Sequence, residues 1–377
     1  MRRITSASPS ITQAEIDLVS EAIRDGWHER MNFYIDQFVE EFSNFVGIDY
    51  CLPTAHGTDA IHLAMLALGI GPGDEVIVPD LTWVASVAPI MYVGATPVFV
   101  DVDPLSWCVT AESIERKISP RTKAVVVVDL LGNMPEWGEI RDLCLQRDLR
   151  IIEDAAEGLG ARYEGNQAGT FGEISLFSFN ATKLVMAGQG GALCTDNADL
   201  FQQAKLQSHH GIDKSDSNRY YWSTVLGFNY NWTNLQAALA LAQLRRIEDL
   251  LAHKKWLFDE YQKRLGGFEG LQFNAVGPNV EPTYWISTVI LDQQYGLEKE
   301  QVCLQCAEQQ IDIRPLFYPV SSMPPFREYT SGRSMAEENP VTYHLSKYGV
   351  CLPNGNNLDL EDVEYICEVF TKILQNC

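Results

Sequence analysis

The sequence predicts an α/β protein in which a large domain built on a mainly parallel sheet precedes a smaller α+β domain. Between about residues 75 and 152, short apolar segments alternate with helical patterns. These apolar segments lack polar alternation, which indicates strands that are buried on both faces of a parallel sheet. The chain has 377 residues, more than a single hydrophobic core normally serves, and its pattern changes after Gly190 and Gly191. We therefore expect a large domain over residues 1–250 and a small one over residues 251–377.

Capping and periodicity define the elements of the first domain. A capping box of Thr12 and Glu15 predicts a helix over residues 12–25, and a second helix follows over residues 58–68. The remaining elements are strands over residues 75–78, 97–100, 123–128 and 149–152, and helices over residues 84–92, 111–118 and 136–146. Residues 213–221 form the most loop-like segment, because they are polar and lack periodicity.

The second domain begins within a long helical pattern over residues 233–265. The pattern then predicts a strand over residues 284–291, a helix over 298–309, a strand over 311–314 and a terminal helix over 360–374. Cys303 and Cys306 form a lone C-x-x-C within a predicted helix. With no second cysteine pair, ordinary helix packing is favoured there over a metal or redox site.

The composition of the chain excludes some classes of binding partner. The formal net charge is -22 and no basic run occurs, so the field of the protein opposes binding to nucleic acid. The polar start of the chain does not resemble a signal peptide, and its longest apolar stretches are too short to span a bilayer. The nine cysteines are scattered and odd in number. We therefore expect a cytoplasmic protein without a nucleic-acid or membrane partner.

The residues around Lys183 carry the strongest chemical indication. An apolar strand ends in Asp154 and Glu157, and Lys183 follows in the segment SFNATK, which begins with Ser178. Taken singly, Lys183 fits a surface lysine and Asp154 fits a helix cap. Together they favour a site in which a lysine holds an aldehyde cofactor, an acid pairs with its ring nitrogen and hydroxyl groups contact its phosphate. This combination predicts an enzyme that uses pyridoxal phosphate.

Two further segments fit the same hypothesis. Gly57 and Thr58 open a predicted helix, where backbone N–H groups and a hydroxyl suit an anion, although a helix cap alone explains them about as well. Trp83 follows a strand and suits stacking on a planar ring, although a core or interface tryptophan is the commoner case. The glycine-rich run at residues 187–191 does not have dinucleotide-binding spacing, so a flexible turn is favoured there.

A series of longer motifs follows in a fixed order along the chain. The segments HGTDAIHLAMLALGIGPGDEVIVPDLTW, PVFVDVD, IIEDAAEGLGARYEG, GTFGEISLFSFNATK, GQGGAL, GFNYNWTNLQAALALAQLRRIE and IDIRPLFYPV cover nearly the whole chain. In this order they resemble the DegT/DnrJ/EryC1/StrS family of pyridoxal-phosphate sugar aminotransferases. The resemblance implies the type I (aspartate aminotransferase) fold. The blocks GFNYNWTNLQAA and DIRPLFYPVSSMPPF are most similar to members that use L-glutamate to aminate C4 of a GDP-linked 4-keto-6-deoxy sugar, giving GDP-perosamine for surface polysaccharides.

The resemblance also implies a role for each matching residue. Lys183 corresponds to the Schiff-base lysine, Asp154 to the acid at the pyridine nitrogen, Glu157 to the residue near the ring hydroxyl, Trp83 to the stacking aromatic residue, and Gly57, Thr58 and Ser178 to phosphate contacts. Asn229 corresponds to an asparagine that reaches the phosphate from the second subunit, which implies a homodimer with shared active sites. No metal is implied.

Four positions depart from the usual family pattern: His56, Asp129, Gln189 and Asn231. The alternatives within the fold are amination of a dTDP- or UDP-linked ketosugar, at C4 or C3, and a sugar dehydratase. Family dehydratases replace the lysine with histidine, so Lys183 argues against that activity. A non-catalytic regulator is the remaining class, and neither a helix-turn-helix pattern nor a basic face supports it.

Overall fold

The computed structural model describes residues 3–213, 219–330 and 332–375. Part of the loop predicted at residues 213–221 therefore lies outside the described residues. The helices are α1 (Gln13–Asp25), α2 (Phe33–Val46), α3 (Gly57–Ala67), α4 (Ala88–Tyr92), α5 (Ala111–Glu115), α6 (Trp137–Arg147), α7 (Ala198–Ser208), α8 (Asn234–Leu244), α9 (Ile247–Leu265), α10 (Lys299–Glu308), α11 (Met335–Glu338), α12 (Pro340–Tyr348) and α13 (Leu360–Gln375). The strands are β1 (Tyr50–Thr54), β2 (Glu75–Pro79), β3 (Thr96–Val100), β4 (Thr122–Val128), β5 (Arg150–Asp154), β6 (Arg162–Tyr163), β7 (Asn166–Gln167), β8 (Ile174–Ser178), β9 (Gly191–Thr195), β10 (Leu271–Phe273), β11 (Val280–Glu281), β12 (Thr288–Leu291), β13 (Arg314–Pro315) and β14 (Gly349–Cys351).

A seven-stranded sheet, counted over the described residues, forms the centre of the larger part. Its strand order is β1-β9-β8-β5-β4-β2-β3. The five strands from β8 to β3 run parallel, whereas β9 pairs antiparallel with both β8 and β1. The predicted α/β class with a mainly parallel sheet is therefore confirmed.

The middle of this sheet determines where the polar residues lie. The valines of β4 and the isoleucines of β5 are buried, and each such side chain removed from water stabilises the fold by roughly 1.5–3 kcal/mol. Because β4, β5 and β8 run parallel, their carboxyl ends meet at one edge. Asp154 is the last residue of β5, so this packing delivers a carboxyl group to that edge.

A second, antiparallel sheet with the order β10-β12-β14-β13 belongs to the smaller part. Its core combines residues of α9, α10 and α13 with Ile4 from the start of the chain, and it includes buried Cys306. The predicted division at residue 250 falls within α9 and stays a prediction. None of the helices in the described ranges combines the length and apolar composition that a membrane crossing requires.

Several elements differ from the sequence expectations. The single helix expected over residues 233–265 is two helices, α8 and α9, because Arg246 leaves helical geometry with a φ of -114° and a ψ of 16°. The strand expected over 311–314 was wrong: Ile311 forms an isolated bridge with Ile4, and β13 starts only at Arg314. Helix α2 and strands β1, β8 and β9 were not predicted. Strands β1 and β9 contain Pro53 and Gly191, residues that weaken any strand pattern.

Candidate active site

The carboxyl end of β5 places an acid beside a cavity. Asp154 is buried, its Oδ2 accepts a hydrogen bond from Ser86 Oγ at 2.6 Å, and its Oδ1 accepts one from the Ala156 backbone N–H at 3.2 Å. Burial raises the pKa of Asp154, while the Ser86 hydrogen bond and the nearby Lys183 ammonium lower it. A carboxylate in such a desolvated place gains most from a cationic partner.

Lys183 lies between an anion and an aromatic face. Its Nζ is 3.5 Å from Glu157 Oε1 and 3.8 Å from the centroid of the Trp285 ring. Trp285 Nε1 in turn donates a hydrogen bond to the Thr182 carbonyl at 3.1 Å, and the Lys183 backbone N–H donates to the Asn180 carbonyl at 2.9 Å. The backbone and the amine of Lys183 are both held by these contacts, so the amine has a defined position at the site.

Glu157 connects Lys183 to a strained turn after β4. Its Oε2 accepts a hydrogen bond from the Leu131 backbone N–H at 2.8 Å. Leu131 has a φ of 57°, a left-handed conformation that costs roughly 1–2 kcal/mol for a residue with a Cβ. Burial raises the pKa of Glu157, while the Lys183 ammonium lowers it. Local strain of this kind is typical of functional sites, where the surrounding packing maintains it.

The start of α3 provides a cradle for an anion. Among the described side chains, none caps the first turn of α3, which follows His56. The first backbone N–H groups of this helix are therefore left to solvent or to a ligand. A Cβ added at Gly57 would lie 3.3 Å from both the Phe177 carbonyl oxygen and Ser178 Cβ, so Ser178 packs directly beside the helix start. Thr58 follows on the same turn and adds a hydroxyl group.

Aromatic side chains form another part of the cavity wall. Trp83 lines the cavity, is 58% exposed, and lies 6.0 Å from Phe317 between ring centroids. Tyr318 continues this wall, with its hydroxyl donating to Glu300 at 2.7 Å and the buried Lys299 ammonium 3.5 Å from its ring centroid. Large exposed rings beside a cavity are suited to stacking on a planar ligand.

One cavity of about 690 Å³ collects these groups, a size typical of sites for small organic ligands. Seven of the eight residues predicted for the site line it: Gly57, Thr58, Trp83, Asp154, Glu157, Ser178 and Lys183. The eighth, Asn229, is exposed outside the cavity, where its Oδ1 accepts a hydrogen bond from Asn231 Nδ2 at 3.2 Å. The individual roles of all eight stay predictions.

Several residues of the cavity wall were not predicted from the sequence. They include Ser86, Lys254, Trp285, Arg314 and Asn354. Ser86 could have been predicted, because it is a hydroxyl residue only three positions after Trp83, the candidate stacking aromatic. The others come from the smaller part of the chain, and no spacing in the sequence reveals that this part folds back over β5.

The four departures from the family pattern lie in different places. His56 and Gln189 line the cavity, whereas Asp129 and Asn231 do not. Asp129 is fully buried, and both burial and the neighbouring Glu153 raise its pKa, which favours the neutral acid. Asp129 therefore belongs to the support behind the site and not to its ligand-facing wall.

Comparisons with known proteins agree with this geometry. The sequence profile of the DegT/DnrJ/EryC1/StrS aminotransferase family matches residues 9–371. GDP-perosamine synthase of Escherichia coli O157:H7 is 37% identical over 368 residues, covering 98% of each chain, and that of Caulobacter vibrioides is 35% identical over 377 residues, covering 99% of this chain and 98% of the relative. A Streptococcus pneumoniae protein described as a sugar aminotransferase, solved in its PMP form, superimposes with a TM-score of 0.91 at 25% identity, covering 100% of this chain and 98% of its own.

Proposed function

The chain belongs to the DegT/DnrJ/EryC1/StrS aminotransferase family, and we propose that it transfers an amino group from L-glutamate to C4 of a GDP-linked 4-keto-6-deoxy sugar. It is a pyridoxal-phosphate-dependent aminotransferase that acts on a nucleotide sugar. The observation that carries the proposal is the Lys183 amine, held 3.5 Å from Glu157 in the same cavity as buried Asp154. The product would be GDP-perosamine or a similar 4-amino sugar for surface polysaccharide.

The residues present fit the cofactor. The Lys183 amine would hold its aldehyde, and the buried Asp154 carboxylate would accept a hydrogen bond from its protonated ring nitrogen. The uncapped start of α3, with Ser178 packed beside Gly57, would hold its phosphate. When bound, pyridoxal phosphate supplies an electron sink that stabilises a carbanion at the amino-bearing carbon.

Lys183 is the acid–base residue that we propose for both half-reactions. We assign to its Nζ the removal of the Cα proton of glutamate in the first half-reaction and the delivery of a proton to C4 of the sugar in the second. A positioned acid–base group of this kind contributes typically 10²- to 10⁴-fold in rate. Glu157, at 3.5 Å, orients the ammonium form of Lys183, and the Trp285 ring excludes water from the same side of the amine.

Relatives named GDP-perosamine synthase, at 33–37% identity over nearly their full length, support the GDP carrier and the C4 position. Purified protein should be supplied with L-glutamate and a panel of GDP-, dTDP- and UDP-linked 4-ketosugars and 3-ketosugars. We expect GDP-4-keto-6-deoxymannose to give by far the highest kcat/KM, since a site that hydrogen-bonds its substrate rejects analogues strongly. A dTDP- or UDP-linked sugar in first place would overturn the carrier, and a 3-ketosugar in first place would overturn the position.

We further propose a homodimer in which Asn229 reaches the phosphate of the neighbouring subunit. Its exposed position outside the cavity supports this, as do the largely exposed side chains of Tyr220, Tyr221 and Leu226 nearby in the chain. Mixing a Lys183→Ala parent with an Asn229→Ala parent should restore activity through hybrid dimers that have one intact site. Full activity from a verified monomer would refute the shared site.

We also propose a cytoplasmic location. The eight cysteines that the structure describes are all free, and seven of them are buried in the two hydrophobic cores. Free thiols persist where glutathione and thioredoxin keep them reduced. Fractionation of the producing cells should recover the protein with the cytosol, and recovery with the envelope would contradict the proposal.

A further inference from the structure

Helix α9 has a lysine within the apolar stripe that packs it into the protein. The stripe contains Leu250, Leu257 and Tyr261 at helical spacing, and Lys254 lies on the same buried face. Lys254 is only 5% exposed. Lysine ammonium groups are almost never fully buried unless they are paired, so this position requires an explanation.

The ammonium of Lys254 has no counter-ion among the described residues. Its Nζ donates a hydrogen bond to the backbone oxygen of Asn354, and no described carboxylate lies within ion-pair distance of it. Two of its three N–H donors thus lack a partner in the described part of the chain. Desolvation lowers the pKa of Lys254 to about 7. One backbone carbonyl does not compensate the burial of a full charge.

Lys254 lines the same cavity as Lys183. Of the lysine and arginine side chains on this wall, Lys183 is paired with Glu157, and Arg314 is paired with Asp312 at 3.1 Å. Arg314 is also 65% exposed in its side chain, so its charge is largely hydrated at the rim. Lys254 is therefore the buried cation of this wall that lacks a described carboxylate partner.

A short chain of contacts connects the two lysines. The Lys254 ammonium bonds to the Asn354 carbonyl, the Asn354 side-chain amide donates to the Trp285 carbonyl, and the Trp285 ring lies against Lys183 Nζ. Two residues of the cavity wall, Asn354 and Trp285, thus connect the ammonium of Lys254 to the reacting amine of Lys183. A substrate bound at Lys183 with an anionic group a few bonds away would bring that group towards Lys254.

We propose that the Lys254 ammonium binds the side-chain carboxylate of the amino donor and thereby selects a dicarboxylic amino acid. The inference rests on the proposed function, in which the amino group of the donor must reach Lys183. A carboxylate at Lys254 forms a charge-assisted hydrogen bond in a desolvated place, where such bonds are strongest. A neutral donor gains no such bond, so the site binds it more weakly than a dicarboxylic donor. The diphosphate of the sugar substrate is a poorer match, because the whole sugar ring separates it from the reacting ketone.

Binding is tested with a ligand that cannot react. Glutarate has both carboxylates of the donor but no amine, and butyrate has only one carboxylate. Isothermal titration calorimetry of the cofactor-loaded protein should show glutarate binding that falls about 10- to 100-fold in Lys254→Met, the loss expected for a hydrogen bond between charged groups. Butyrate should bind weakly and equally to both. The matched control is Lys255→Met, since Lys255 is the next residue, is 62% exposed in its side chain and should leave glutarate binding unchanged.

The first half-reaction separates this role from a structural one. In Lys254→Met the L-glutamate concentration for half-maximal reaction should rise about 10- to 100-fold, while the value for L-norvaline, which lacks the second carboxylate, stays the same. The KM for the ketosugar should not change. Equal weakening of glutamate and norvaline, or weakening of the ketosugar alone, would overturn the proposal. A wild-type protein that aminates no ketosugar with any donor would instead refute the proposed function.

Discussion

Replacing Lys254 with methionine should stabilise the protein at neutral pH, although Lys254 lies in the cavity wall. Methionine keeps most of the length and apolar contact of the lysine chain but removes the buried charge. It also removes the hydrogen bond to the Asn354 carbonyl, a loss worth about 1 kcal/mol. The sign of the net change therefore depends on what the buried charge costs.

The pKa of Lys254 gives that cost. Burial lowers it from 10.5 to about 7, whereas the unfolded chain keeps the ordinary value. Between these pH values the unfolded state binds more protons, so the stability of the wild type rises as the pH rises through this window. At about 1.4 kcal/mol per pKa unit, the charge costs about 5 kcal/mol at pH 7 and below, and the cost vanishes near pH 10.5. After the lost hydrogen bond, Lys254→Met should be about 3–4 kcal/mol more stable at pH 6.5 and nearly equal to the wild type at pH 9.5.

Differential scanning calorimetry at both pH values measures this difference. For a chain of 377 residues we expect a rise in Tm of about 4 °C at pH 6.5 and of less than about 1 °C at pH 9.5. Lys255→Met is the control, because its exposed ion pair with Asp259 contributes less than about 1 kcal/mol at either pH. A Tm that falls in Lys254→Met at both pH values would mean that the fold compensates the ammonium, and it would exclude a buried charge of this cost.

Two other substitutions test the site and its support. Asp154→Asn should lower kcat about 10²- to 10³-fold with little change in Tm, because a neutral amide cannot stabilise a charged ring nitrogen; steady-state kinetics near wild-type rates would contradict the role of Asp154. Gly132→Ala should destabilise the protein by about 2–4 kcal/mol, because the residue has a φ of +86° and its new Cβ would collide with Thr283 Oγ1. Gly165→Ala is the control, since Gly165 has a φ of +79° but an added Cβ there would meet nothing within 4 Å. Its free energy of unfolding, measured by chemical denaturation, should fall by only about 1 kcal/mol. Equal losses of stability in the two variants would exclude the collision as the cause.

Local patterns predicted the fold class because the sequence repeats the same unit. Strands β2 to β5 and the helices between them are short apolar runs and amphipathic helices in alternation, and their predicted bounds lie within a few residues of those observed. The capping box of Thr12 and Glu15 fixed the start of α1 for the same local reason. Strands β1 and β9 escaped prediction because their pairing joins residues about 140 positions apart, and such contacts leave no local pattern.

The site residues that belong to the large sheet were predictable from the sequence, and those that come from the smaller part of the chain were not. Asp154 is the last residue of β5 and Lys183 comes shortly after β8, so the topology that places these strands also places the two side chains. Trp285 and Asn354 come from the smaller part of the chain, and their positions depend on how that part packs over the sheet. Lys254 had a visible indication, a lysine at a core position of a helical stripe, but only its burial shows that the side chain does not extend into solvent.

Whether Lys183 transfers protons in amination of a nucleotide-linked ketosugar is tested by following the nitrogen. Cofactor-loaded protein should be incubated with ¹⁵N-labelled L-glutamate and GDP-4-keto-6-deoxymannose, and the products analysed by mass spectrometry. We predict one ¹⁵N-labelled amino sugar for each 2-oxoglutarate, and no turnover in a folded Lys183→Ala variant. Labelled product at the wild-type rate from Lys183→Ala would exclude proton transfer by Lys183, and no labelled amino sugar from any ketosugar with the wild type would exclude the amination itself.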